Sequence, residues 1–384
     1  MKRFFFSVMA LAAVATACTE SGLIDKPSFY ANEISFDSYI GKAPQTKAET
    51  VDETYLQRTI ANGGGVHVYG FLQEKGVTSA SSIETSVPYM DAQLRYDIPE
   101  GASSRAWMYD DIAFWPEDKA LAFAAYSLNA ETNGCISNHT DVTKFDFTVN
   151  DLVEDQVDLL AIPFMTNKVD AGENNVVTLE FKHLLSRVGF TVLASHPSED
   201  VDIAIQSIVL RGIFPKTGVV DLTSTGIIAP YYDGEVATEY DFFKDADDNT
   251  EAGFMINSST CVADQSTNKK GEPIYPNVTM DLDQDPKDQT KWNTMYAAMS
   301  GTSKVNDRYM MIMPCTVDAV IEVKYHLTAD QPRIAKVALT NWEFKPGYAY
   351  EFVLKVSTQT IQFDADFGAW GDPITETQTL TPII

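Results

Sequence analysis

Cysteine, histidine and basic side chains are all scarce in these 384 residues, and each scarcity removes a class of function. The four cysteines, Cys18, Cys135, Cys261 and Cys315, form no Cys-x-x-Cys pair and no regular spacing, so neither a disulfide framework nor a thiolate metal site is indicated. Beyond Cys18 the remaining three cannot all pair within one chain, and they read as buried small apolar residues. The five histidines are scattered, with no i,i+4 pair and no His-Glu-x-x-His, which leaves a zinc or hydrolytic centre without a scaffold. His183, at a strand end beside Arg187, reads as a satisfied structural histidine rather than a base. Lys and Arg number 28 against 54 Asp and Glu, a formal net charge of −26. Such a field repels nucleic acid, whose binding rests on basic clusters. Phosphate-cradling loops, dinucleotide fingerprints and Gly-x-Ser-x-Gly elbows are missing as well. The expectation is a chain that is not an enzyme and carries no cofactor and no metal.

Long apolar runs are missing too, apart from one at the start. Lys2 and Arg3 precede the stretch Phe4 to Ala17, about 14 residues, which is too short for a permanent membrane helix and suits a cleaved signal. It ends at Ala15-Thr16-Ala17-Cys18, small residues leading into a cysteine, as in a bacterial lipoprotein signal. Residues 1–17 are therefore read as signal peptide and Cys18 as the lipidation site, tethering an exported body to a membrane. The alternative is an ordinary secretory signal cut near Ala17. Without Lys2 and Arg3, 26 basic residues face 54 acidic ones, net −28, which suits a soluble exterior surface. No second apolar stretch approaches a membrane span.

What is present is strand. Val66–Phe71, Leu121–Tyr126, Val176–Phe181, Ala319–Tyr325, Arg333–Leu339 and Tyr350–Val356 are short, rich in β-branched and aromatic residues, and alternate in polarity. Seventeen prolines and 21 glycines punctuate the runs, so long helices should be scarce. The pattern predicts an all-β protein built as antiparallel sandwiches, and the length predicts two domains, 59–185 and 186–384. Leu179 to Val192 reads as strand, tight connection, strand, which puts the boundary there. Residues 18–58 read as a tether with one isolated strand, Glu33-Ile34-Ser35-Phe36-Asp37, removable because linker flanks it on both sides. Asn62-Gly63-Gly64-Gly65 reads as a hinge. A polar, Asp-rich insertion with few strands is expected over about 241–307.

Two patterns there and elsewhere invite chemistry. Asp281-x-Asp283-x-Asp285 starts like a calcium loop, but Pro286 stands where glycine is needed and Trp292 where the closing carboxylate belongs. The tryptophans Trp107, Trp115, Trp292, Trp342 and Trp370 could supply glycan-stacking platforms, or pack in the core.

Taken in order, several segments resemble the fimbrillin family of Bacteroidetes, the Mfa-like and FimA-like pilins. They are the lipoprotein start, Ile34-Ser35-Phe36, Val68-Tyr69-Gly70-Phe71, Trp115-Pro116, Asp158-Leu159-Leu160-Ala161, Leu179 to Val188, Met311-Ile312-Met313-Pro314, Pro346-Gly347-Tyr348-Ala349-Tyr350 and Phe367-Gly368-Ala369-Trp370. The resemblance implies two transthyretin-like β-sandwich domains, export as a lipoprotein, and assembly into outer-membrane fimbriae after a trypsin-like protease removes the N-terminal strand. A strand from a neighbouring subunit then fills the vacated groove, which is β-augmentation. Arg58 is the first choice for the cut and Lys47, within Thr46-Lys47-Ala48, the alternative; an uncut anchor subunit is also allowed. The implied partners are other fimbrial subunits, the outer membrane through Cys18, the maturation protease and a host or bacterial surface ligand. Ile374 to Ile384 reads either as a donor strand or as the last strand of the second domain. The competing function is a surface glycan-binding lipoprotein.

Overall fold

The computed structural model describes residues 32–40, 53–76, 83, 87–168, 176–194, 203–223, 228–232, 234–242, 252–256, 264–267, 273–274, 279–281, 309–327, 333–356, 361–369 and 376–383. These residues are predominantly strand, with little helix, as the period-2 patterns predict. Strands are numbered in chain order. The first sheet has seven, in the order β1 (Ser35–Ile40), β9 (Val176–His183), β8 (Leu160–Lys168), β5 (Lys119–Ser127), β2 (Val66–Glu74), β3 (Met90–Asp97) and β4 (Ala106–Met108). The second has five: β19 (Met310–Ile312), β10 (Ser186–Ala194), β22 (Tyr348–Val356), β23 (Ile361–Ala369) and β24 (Glu376–Leu380). The third runs β18 (Thr279–Asp281), β15 (Ala252–Ile256), β11 (Ile203–Pro215), β20 (Cys315–Leu327), β21 (Arg333–Phe344) and β25 (Pro382–Ile383), with β14 (Val236–Asp241) also on β11. A fourth sheet, β13 (Ile228–Pro230), β12 (Thr217–Asp221), β7 (Lys144–Thr148) and β6 (Ile136–Asp141), draws strands from both halves of the chain. β16 (Asp264–Thr267) and β17 (Pro273–Ile274) pair by themselves.

Three buried clusters hold this together. One fills the inside of the first sheet with Ile34, Phe36, Val68, Leu94, Leu121, Phe123 and Leu179. A second lies between the second and third sheets, around Phe190, Phe214, Tyr240, Ile321, Trp342 and Phe352. The third joins the halves: Tyr126, Phe145 and Phe147 from one side meet Leu184, Leu185, Val220, Met311 and Met313 from the other. Because that third cluster covers the outer face of β5, the strand is buried on both faces from Ala120 to Ser127. The chain passes from the first sheet to the second at Leu184–Leu185, between β9 and β10.

Both β1 and β10 run parallel to their long neighbours, β1 on β9 and β10 on β22, whereas the remaining pairings among the described strands are antiparallel. One expectation needs correction. Asn62 to Gly65 is not a hinge but a tight hydrogen-bonded turn: Gly64 N–H donates to Thr59 O and Gly65 N–H to Leu56 O. Gly63 and Gly65 have φ of +79° and +94°, and a Cβ on Gly64 would stand 2.0 Å from Arg58 O. The glycines are required by geometry, not by freedom to move. Within the polar segment 241–307 the described residues include the short strands β15 to β18, of which β15 pairs with β11 and β18 extends that sheet edge. Asp283, Asp285 and Trp292 lie outside the described residues.

The tail folds on its own half. β24 pairs with β23 and β25 with β21, so residues 376–383 cross from one sheet of the sandwich to the other, and Leu380 is buried.

Candidate strand-acceptor site

The isolated strand read from Ile34-Ser35-Phe36 is β1, and its alternation decides how it sits. Ile34, Phe36 and Ser38 face inward and are buried; Asp37 is exposed. On one flank β1 pairs along its whole length with β9, from Ser35 opposite Val176 to Ile40 opposite Phe181. The other flank meets the segment after β4. Ile34 N–H donates to Ala113 O at 3.0 Å, and Trp115 N–H donates to Asn32 O at 2.9 Å, with Glu33 bridging Phe114. β1 thus closes the curled first sheet between its two ends.

The slot beneath β1 is built by β4 and the residues after it. Trp107 and Tyr109, two apart, point the same way. Phe36 meets Tyr109 edge-on at 5.8 Å and Phe123 at 5.7 Å. Tyr109 O–H donates to the Ile34 carbonyl at 2.6 Å, and Trp107 Nε1–H donates to Ser38 Oγ at 3.1 Å. Burial pushes the Tyr109 hydroxyl up to about 12, so it stays a donor through any ordinary pH. Sequence reading gives Trp107 only a generic glycan or core role and Tyr109 none. Their partners lie 69 and 75 residues away, and only the i, i+2 aromatic spacing hints at a shared face.

The candidate maturation sites fall on both sides of what is described. Arg58 is exposed, with its guanidinium 4.4 Å over the Tyr55 ring, and follows the short helix α1 (Glu53–Leu56). It therefore sits in an ordered turn rather than open linker, and Leu56, two residues before it, is fully buried in the cluster that holds Ile34 and Phe36. Lys47 and Cys18 lie outside the described residues.

His183 Nδ1 is 2.6 Å from Asp158 Oδ2, a buried carboxylate at the junction of the halves. His67 lies between Asp91 at 2.7 Å and Glu131 at 3.3 Å. Cys135 and Cys315 are buried free thiols, and burial raises both, Cys315 to about 12. Trp107 and Trp342 are buried and Trp115 packs edge-on against Phe123, so none of these three forms an exposed platform; Trp292 and Trp370 lie outside the described residues. Among the described residues no group of three or more His, Cys, Asp or Glu could hold a metal ion.

The sequence profile of the fimbrillin-like family matches residues 46–370. The chain belongs to the fimbrillin-like family. Among solved structures this fimbrillin-like chain is similar to a fimbrial protein from Bacteroides vulgatus, with 16% identity and a TM-score of 0.56 over 88% of this chain and 99% of that one. A fimbrial assembly protein from Parabacteroides distasonis is 11% identical with a TM-score of 0.39, covering 90% of this chain and 98% of that one. At such identities the first likeness speaks to fold alone. A comparison with curated proteins finds no match.

Proposed function

We propose that this fimbrillin-like chain is a structural or adhesive subunit of cell-surface fimbriae, non-catalytic, exported as a lipoprotein through Cys18 to the outer membrane. Assembly proceeds by strand exchange after proteolysis removes β1. The observation that carries this reading is the seat of β1. The strand lies between two sheet ends, and its departure would open backbone groups on both flanks. It would also uncover a slot floored by Tyr109 and Phe123. Ile34 and Phe36 each contribute roughly 1.5–3 kcal/mol of burial, so an emptied slot is strongly disposed to refill. Family membership supports the fimbrial, cell-surface role.

Two cuts release β1. Cleavage after Arg58 meets an exposed side chain but also carries off buried Leu56. Cleavage after Lys47 leaves α1 and Leu56 in the core, so on packing grounds it is the less costly cut. The glycan-binding alternative draws no support from Trp107, Trp115 or Trp342, which pack inward.

Intact-mass and N-terminal analysis of protein recovered from the cell surface, beside gels run with and without strong denaturant, tests the reading. A start after Lys47 or Arg58 with a denaturant-sensitive ladder is the expected result. A uniform lipidated Cys18 start with no ladder would sink the exchange model.

A further inference from the structure

The slot under β1 is selective, and its chemistry can be read side chain by side chain. The Ile34 site is enclosed and apolar. Two residues on, the Phe36 site is bounded by the edges of Tyr109 and Phe123, so an aromatic ring gains edge-to-face contact that an aliphatic chain lacks. Two further on, the Trp107 indole N–H is aimed at the side-chain oxygen of Ser38, itself only 5% exposed. A strand with an apolar residue there would leave a buried donor unpaired, which is costly. The site therefore asks for a large aliphatic, an aromatic and a hydroxyl residue at alternate positions.

The chain's own tail does not meet that demand. Residues 374–384 contain no aromatic residue, and in no register, read in either direction, do alternate positions give aliphatic, aromatic and hydroxyl. The tail is also engaged. β24 and β25 tie the second and third sheets together, Leu380 is buried in their common core, and Thr377 Oγ1 donates to Asp366 Oδ1 at 2.6 Å. We infer that the acceptor slot is specific for a strand carrying the aliphatic-x-aromatic-x-Ser/Thr pattern, and that residues 374–384 of this chain do not fill it. The inference rests on the strand-exchange reading above and adds the identity class of the partner strand: a second copy donating this tail is excluded.

The test uses the full chain with a site-specific protease sequence placed in residues 41–52, cut so that β1 stays seated without a covalent link. Labelled synthetic peptides then compete for the slot: residues 33–40, the same peptide with F36A or S38A, and residues 374–384. The 33–40 peptide is expected to exchange in, with F36A weakened about tenfold to a hundredfold and S38A about fivefold or more. The 374–384 peptide should bind at least about tenfold more weakly than 33–40. In a Trp107→Phe protein the preference for the native peptide over S38A should vanish while the F36A penalty remains, a pattern that general destabilisation does not produce. If 374–384 competes as well as 33–40, the inference is overturned while strand exchange stands. If no peptide enters, 33–40 included, strand exchange itself fails and the inference falls with it.

Discussion

Phe36 shows what one side chain does for the whole first half. Its ring is fully buried against Tyr109 and Phe123, so Phe36→Ala is expected to cost about 3–5 kcal/mol in urea unfolding followed by tryptophan fluorescence. A loss below about 1 kcal/mol would mean that β1 is not a working part of the core. Tyr109 gives a second handle. Burial raises its hydroxyl, and that of Tyr69, to about 12 from an ordinary value near 10, while Tyr126, Tyr240 and Tyr350 are also pushed up by burial. A raised folded value favours the neutral phenol, so this contribution is complete below about pH 10 and is lost as pH climbs toward 12. An alkaline titration should show cooperative unfolding in that window, with tyrosinate absorbance rising in step; gradual ionisation near pH 10 with structure intact would contradict the burial. The alternation of Ile34, Phe36 and Ser38 is legible in sequence because period 2 is local. Trp107 and Tyr109 are not, because what they touch depends on which distant strand arrives above them.

Elements were legible where one face is wet. β21 and β9 alternate buried and exposed residues as written, so pattern reveals them. β5 is also found, but the reading of it as a strand that alternates in polarity misses the second layer packed on its outer face, which no local pattern announces. The glycine run after α1 misled for a related reason: three residues without Cβ signal either freedom or crowding, and only the Arg58 carbonyl, 2.0 Å from where a Gly64 Cβ would stand, decides for crowding. Gly64→Ala should therefore destabilise by about 2 kcal/mol or more in the same urea assay, well beyond the few tenths a surface loop tolerates. A neutral result would restore the hinge.

Across the whole molecule, the succession of β9 and β10 around residue 185 was legible from the strand, turn, strand pattern, whereas the fourth sheet was not. β7 and β12 pair from Thr148 opposite Thr217 to Lys144 opposite Asp221, and Leu184, Leu185, Met311 and Met313 share a core with Phe145 and Phe147. Pairing across such sequence distance leaves no trace in composition. Calorimetry should accordingly give one transition with matching calorimetric and van't Hoff enthalpies, and Phe147→Ala should lower it as a single peak; two resolved peaks would show independent halves. The double-sided seat of β1 carries one more consequence, and it is mechanical. A strand paired with β9 along one edge, bonded on the other flank at Asn32 and Ile34 just before it, and pulled lengthwise is loaded in shear, so these backbone bonds must yield together rather than peel away one by one. Whatever strand occupies that seat makes a joint that resists tension along its own axis far better than tension across it.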